Sequence, residues 1–168
     1  MGNISLQIDE DLALLNFEAK DSTEVIKELG KRVLAKGYIE EEFIEKLLER
    51  EENFPTGLET ACPFAIPHVG GFCNTSFLSF AVLKEPVIFN AMDGSGKELS
   101  VRCVFMFGIT DPQGQVEVLK KFIFAFREEE NLKKLQEMTD AKETLKYLKS
   151  LLGDGLEVKK IGEVVEKN

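Results

Sequence analysis

The sequence lacks the residues that several common kinds of functional site require. Its 168 residues include three cysteines, one histidine and no tryptophan. The cysteines have no CxxC or other paired spacing, so together with one histidine they do not suggest a closed zinc site. There is also no glycine-rich Lys-Ser/Thr loop for nucleotide phosphates and no GxSxG elbow of a hydrolase. We therefore expect no metal and no cofactor.

Long apolar runs and excess basic charge are missing as well. No segment reaches the roughly 18 consecutive apolar residues of a transmembrane helix, and the first residues lack a basic region followed by an apolar one. Lys and Arg total 21 against 30 Asp and Glu, a formal charge of −9. Because nucleic acids and anionic membranes attract clustered Lys and Arg, we expect no nucleic-acid partner and no direct membrane contact. An odd number of cysteines favours a cytoplasmic protein.

The apolar pattern switches between the spacing of strands and that of helices. Helices are predicted to begin after Asp21 and at Asp111-Pro112, where the aspartates act as caps, and to span Glu41–Arg50, Glu129–Met138 and Ala141–Leu152. Strands are predicted over 12–17, Phe64–Ile66, Phe77–Leu83, Pro86–Phe89 and Val101–Ile109. This order indicates an α/β fold with a mixed β-sheet and helices on both faces. Residues 153–168 are charged and contain glycine, which predicts a loosely held tail.

Two segments differ sharply in charge. Glutamates crowd the second predicted helix, and we interpret most of them as a solvated face; they are Glu40, Glu41, Glu42, Glu45, Glu49, Glu51 and Glu52. Between Thr60 and Leu83, by contrast, there is no Asp, Glu, Lys or Arg, although 30% of the chain is charged. The uncharged window is therefore predicted to lie inside the protein or in a cleft.

The only histidine, His68, lies in this window. A lone histidine is more often an ordinary surface or core residue, but here Pro67 disfavours helix before it. A strand is therefore predicted to end at Pro67 and to leave His68 at its tip. Gly70 and Gly71 follow, so little side-chain bulk would keep a partner protein away.

A neutral imidazole can attack phosphorus without a separate base, because its ordinary pKa is about 6.5. Its other nitrogen can donate to a backbone carbonyl, and the transferred group then needs fixed hydrogen-bond donors. Gln115, near the start of the helix after Asp111, is one candidate donor and Arg50 is a second. Taken alone, a glutamine in this position is more often a solvent-facing helix residue, and an arginine such as Arg50 is more often a surface ion-pair partner.

Four segments occur together in an order that resembles a known family. They are Arg50-Glu51, Phe54-Pro-Thr-Gly57, Ala65-Ile-Pro-His68 and Asp111-Pro-Gln-Gly-Gln-Val-Glu-Val-Leu119. They resemble enzyme IIA domains of the phosphotransferase system, mannitol–fructose class, which here would span residues 1–152. The resemblance implies a phosphotransferase component in which the phosphocarrier HPr phosphorylates Nε2 of His68. The group would then pass to a cysteine of enzyme IIB for sugar uptake, with Arg50, Thr56 and Gln115 near the phosphate.

One position departs from the usual pattern of this class. Members typically carry a second histidine where this chain has Gln115, whereas the galactitol-like branch has glutamine there. The resemblance therefore implies a polyol such as galactitol. Two alternatives stay open: a regulatory relative of the nitrogen-related branch that is not coupled to transport, and a non-catalytic interaction domain.

Overall fold

The computed structural model describes residues 5–159. Within this range seven strands form one sheet: β1 (Leu6–Ile8), β2 (Ala13–Phe17), β3 (Gly57–Leu58), β4 (Phe64–Ala65), β5 (Phe77–Asn90), β6 (Glu98–Gly108) and β7 (Leu156–Val158). Five α-helices accompany it: α1 (Ser22–Ala35), α2 (Glu42–Asn53), α3 (Gln115–Phe126), α4 (Glu129–Glu137) and α5 (Ala141–Leu152). The order of elements follows the sequence prediction closely.

The sheet is mixed, as predicted. Its main order is β3-β4-β6-β5-β1-β7, and β2 pairs with β5 outside that order. The long pair β5–β6 is antiparallel, while β4 runs parallel to β6 and β1 parallel to β5. The prediction of a separate strand over Pro86–Phe89 is wrong. Strand β5 continues through these residues, with a register irregularity between Val82 and Val87. A bulge of this kind tolerates Pro86 inside a strand.

Alternate residues of β5 contact helices on opposite faces of the sheet, since strand side chains alternate. Phe77 packs edge-to-face on Phe43 of α2, and Ser79 donates to a carbonyl of α1. Phe80 instead stacks on Phe105, which in turn stacks on Phe126 of α3. The prediction of helices on both faces is therefore confirmed.

Aspartate caps fix the starts of the two helices predicted from them. Asp21 accepts a hydrogen bond from the backbone of Glu24 at the start of α1. Asp111 accepts from the backbone of Gln113, but Pro112–Gly114 forms a 3-10 turn before α3 begins at Gln115. Gln115 is therefore the first residue of the α-helix, one turn later than the predicted start.

The segment after α5 corrects the prediction of a loosely held tail. β7 pairs with β1 in parallel register, and Leu156 is fully buried. Lys159 donates its backbone N–H to the carbonyl of Ile8. The strand pairs with the sheet edge through a segment in which apolar residues alternate, although the segment is rich in charged residues. The rest of the predicted tail, residues 160–168, lies outside the described residues.

None of the helices within residues 5–159 is long and apolar enough to cross a membrane.

Candidate functional site

His68 follows β4 and lies beside β6. Phe107 donates its backbone N–H to the carbonyl of Pro67 at 3.2 Å, and His68 forms an isolated parallel bridge with Phe107. The imidazole stacks on the Phe107 ring, with centroids 4.8 Å apart and planes 10° from parallel. Only 2% of His68 is exposed. The prediction of an open strand tip with little packing is therefore wrong, because β6 extends past β4 and its aromatic side chain covers one ring face.

The hydrogen bond of the imidazole determines its reactive nitrogen. Nδ1 of His68 lies 2.7 Å from the backbone oxygen of Ile66. A carbonyl oxygen only accepts, so Nδ1 carries the proton and Nε2 carries the lone pair. Nε2 has no hydrogen-bond partner within residues 5–159. Burial lowers the pKa of His68, the Ile66 bond opposes this and the Arg50 charge adds to it, so the ring is neutral near pH 7.

Arg50, near the C-terminal end of α2, is a cation that forms no ion pair within residues 5–159. Its guanidinium carbon lies 5.7 Å from the centre of the Phe54 ring, a cation–π contact. Its Nε is buried and has no hydrogen-bond partner in the described chain, and no ion pair within residues 5–159 includes it. Because its charge lowers the pKa of His68, it acts directly on the imidazole.

Gln115 is the second donor at the site. Its Nε2 is also buried without a partner in the described part of the chain. It faces the loop after His68, since a Cβ placed on Gly70 would lie 3.5 Å from it. Phe107 stacks on Phe122 at 5.5 Å, which joins the histidine to the helix that begins at Gln115. The structure therefore places Arg50 close enough to act on the His68 imidazole and Gln115 beside the loop that follows His68. Their predicted role at the phosphate stays a prediction.

Thr56 has a different contact from the predicted one. Its hydroxyl donates to Oε1 of Glu51 at 2.7 Å, and its backbone N–H donates to Oε2 at 2.8 Å. Both donors of Thr56, which the resemblance placed near the phosphate, are therefore bonded to Glu51 in this structure. Glu51, in turn, is half-buried, and burial raises its pKa while the Thr56 bonds and Arg50 oppose the rise. Glu51 is the exception among the seven glutamates of this segment; the other six are exposed, so the interpretation of most of them as a solvated face is confirmed.

Comparison with known proteins places the chain in a family. A family model described as "Phosphoenolpyruvate-dependent sugar phosphotransferase system, EIIA 2" matches residues 7–151. The chain belongs to this enzyme IIA family. The mannitol-specific phosphotransferase enzyme IIA component of Halalkalibacterium halodurans is 32% identical over 136 residues, covering 78% of this chain and 86% of that protein.

Two further relatives of this enzyme IIA domain bear on its fold and branch. The galactitol-specific EIIA component of Escherichia coli K12 is 26% identical over 101 residues, covering 60% of this chain and 67% of that protein. Enzyme IIA of mannitol from Escherichia coli, solved in complex with phosphorylated enzyme IIB, superimposes with a TM-score of 0.69. That match is 22% identical and covers 83% of this chain and 95% of the other, so it establishes the fold.

The arrangement suits transfer of an anionic group to a neutral nucleophile. Nε2 of His68 carries an unbonded lone pair, and Arg50 and Gln115 each have a buried donor without a partner in the described chain. Donors of this kind can stabilise charge on a phosphoryl group without acid–base chemistry. Among residues 5–159 no three His, Cys, Asp or Glu side chains are grouped as metal ligands.

Two residues of the site escaped the sequence analysis. Phe107 lies in the apolar run predicted as a buried strand, and nothing in that run singles out the position that contacts His68. Glu51 is one of many glutamates in its segment. Its position next to Arg50 in the family motif was a signal, but the acidic surroundings gave it no distinct pattern.

Proposed function

We propose that this enzyme IIA domain is a phosphoryl carrier that accepts its group on Nε2 of His68 from an HPr-type phosphocarrier. One observation supports this most strongly: the proton on Nδ1 is tied to the Ile66 carbonyl, and Nε2 is left as the unbonded nitrogen. In the transfer, the Nε2 lone pair forms a bond to phosphorus as the bond to the donor breaks. The Nδ1 proton stays in place, so the reaction requires no general base.

The second transfer moves the phosphoryl group from His68 to a nucleophile on another protein. We propose a cysteine thiolate of enzyme IIB as the acceptor, because a relative of this fold is known in complex with phosphorylated enzyme IIB. The sulfur bonds to phosphorus while the bond from phosphorus to Nε2 breaks. Arg50 and Gln115 serve both directions, since they stabilise the charge on the equatorial oxygens of the moving group.

The rim of the site has the apolar character that a protein partner requires. Phe54, which contacts the Arg50 guanidinium, is 66% exposed, and Val116, which follows Gln115 in the sequence, is 57% exposed. Val69 and Phe72 are half-buried on the loop after His68. Exposed apolar residues of this size are characteristic of protein contact surfaces. We propose that both partners dock on this rim, one after the other.

The substrate class that the system delivers is proposed as a polyol. Glutamine at position 115 supports the galactitol branch, while the mannitol-specific relative is the more similar of the two compared above. The domain itself has no need to contact the sugar. Phosphorylated protein mixed separately with galactitol-type and mannitol-type enzyme IIB would distinguish the two, because the cognate partner accepts the group faster.

Incubation with phosphoenolpyruvate, enzyme I and HPr tests the carrier function. We expect intact mass to increase by one phosphoryl group, and site mapping to locate that group on His68. Chase with enzyme IIB should then remove it. A protein that gains phosphate but transfers it to neither enzyme IIB favours the regulatory alternative, and a protein that gains none contradicts the proposal.

A further inference from the structure

Glu51 and Thr56 form a closed contact at the end of α2. Both carboxylate oxygens of Glu51 accept from Thr56, one from its hydroxyl and one from its backbone N–H. Thr56 is 2% exposed, so this contact is sheltered from water. Two charge-assisted hydrogen bonds from one residue hold the carboxylate in a fixed orientation.

The contact between Glu51 and Thr56 is informative because Arg50, a cation, directly precedes Glu51 in the sequence. Its charge is close enough to oppose the rise in the pKa of Glu51. The arginine fork matches a carboxylate in a bidentate pair, yet no ion pair joins Arg50 to Glu51 in the described structure. The Arg50 side chain instead lies over Phe54, with its Nε buried and unpartnered.

We propose that Thr56 is a positioning residue that occupies the Glu51 carboxylate and thereby keeps Arg50 available for the phosphoryl group. The inference rests on the proposed function of His68. An arginine that already pairs with a carboxylate would have to break that pair before it could bind phosphate. Thr56 avoids this competition by giving Glu51 another pair of donors. Glu51 then stays beside Arg50 without binding it.

The same contact extends to the histidine through the backbone. The carbonyl oxygen of Thr56 accepts from the N–H of Ile66 at 3.4 Å. Ile66 supplies the carbonyl that holds Nδ1 of His68. Thr56 is therefore hydrogen-bonded both to Glu51, which follows Arg50 in the sequence, and to Ile66, whose carbonyl holds the imidazole.

A double-mutant cycle of Thr56→Val and Glu51→Gln tests the proposal. Thr56→Val conserves shape and removes the hydroxyl, so Oε1 of Glu51 becomes able to pair with Arg50. We expect phosphorylation by phospho-HPr to become about tenfold slower, the scale of one charge-assisted contact. In the E51Q background, Thr56→Val should have no further effect, because the competing charge is gone.

The titration of His68 supplies a readout that does not depend on transfer. The protein has one histidine, so a single imidazole Cε1–H resonance reports it by NMR. Since Arg50 lowers the pKa of His68, pairing of Arg50 with Glu51 should raise that pKa in T56V. The rise should vanish between E51Q and T56V/E51Q. If wild-type protein accepts no phosphate, the proposed function fails while this titration still tests the role of Thr56.

Controls separate this role from a merely structural one. Thr60→Val removes another half-buried threonine hydroxyl, which donates to the carbonyl of Cys62, and should change neither readout. Thr56→Ser retains the hydroxyl and should restore the wild-type rate. If T56V does not fold, Thr56→Ala removes the same hydroxyl with less side chain. Equal effects of T56V in both backgrounds, or none in the Glu51-containing protein, would overturn the proposal.

Discussion

The two ends of the β5–β6 pair both carry glycine-containing loops, and they differ in how their polar groups are satisfied. At one end, residues 92–96 form an exposed turn in which Asp93 accepts from the backbone of Ser95 and the Ser95 hydroxyl accepts from that of Lys97. At the other end, beside His68, the buried donors of Arg50 and Gln115 have no partners. The first loop completes its own hydrogen bonds, whereas the helices beside the second loop contribute two buried donors without an acceptor in the described chain.

The contrast identifies a part of the described chain where unpartnered buried donors lower the stability of the fold. A buried donor without a partner costs about 1–3 kcal/mol, so selection for stability alone would remove it. Among residues 5–159 only one other buried side-chain polar atom lacks a partner, Oε1 of Gln7 on β1, and it is an acceptor. The charge of Arg50 lowers the pKa of His68, and Nε2 of Gln115 faces Gly70 in the loop after His68. Under the proposed function, the phosphoryl group is the acceptor that these two orphan donors lack.

The largest expected effect comes from His68→Ala. It should abolish phosphate uptake, because no other histidine exists in the chain. Its burial against Phe107 changes the expectation for stability, since loss of a packed ring leaves a cavity and should cost about 2–3 kcal/mol. Intact mass and urea unfolding measure the two effects. Phosphate retained on the variant would remove His68 from the mechanism.

Removal of one orphan donor should have the next largest effect. Gln115→Ala should slow single-turnover phosphorylation by about 10²–10³-fold without abolishing it, the loss typical for one oriented donor at a charge-stabilising site. The folded protein should not lose stability, because the amide donor has no partner to lose. Gln113→Ala is the matched control, since Gln113 is an exposed glutamine in the 3-10 turn just before Gln115. Equal rates in the two variants would show that the unpaired amide does not assist transfer.

The buried imidazole should also make stability depend on pH. The pKa of His68 is lowered in the folded state, chiefly by burial, so below about pH 6.5 the unfolded chain binds more protons at this residue. The His68 contribution to stability is therefore complete above about pH 6.5 and declines as the pH falls towards the lowered value. His68→Gln removes the contribution of the imidazole to this pH dependence. The stability difference between wild type and H68Q, measured by urea unfolding, should shrink as the pH falls from 7 to 5; a constant difference would contradict a lowered pKa.

Much of the fold and part of the candidate site could be predicted from the sequence. The features that could not be predicted have physical causes. The caps at Asp21 and Asp111 act locally, so the helix starts could be predicted. The uncharged window correctly indicated burial, yet the argument from Pro67 and the glycines placed His68 at an exposed tip. How far β6 extends past β4 depends on strand register, which a single strand does not encode. The contact of Thr56 with Glu51 could not be predicted for a related reason, because it joins the end of a helix to a loop.

Composition also misled the interpretation at the end of the chain. The charges near Glu157 suggested a solvated tail, but Ser5 and Gln7 both donate to this carboxylate. Together with Lys159 they lower the pKa of Glu157 to about 2. A charged residue can lie at a sheet edge when its neighbours donate to it, and those neighbours are some 150 residues away in the chain.

The smallest expected effect lies in the turn at the far end of the β5–β6 pair. Ser95→Ala removes the hydroxyl that accepts from the Lys97 backbone, and because the turn is exposed, water replaces this bond. We expect a change in the free energy of unfolding below about 0.5 kcal/mol and an unchanged phosphorylation rate. The result matters because both loops contain glycine with positive φ, Gly94 and Gly96 here and Gly71 beside His68. If S95A slowed transfer, strain in the whole β5–β6 pair, rather than the orphan donors, would set the rate.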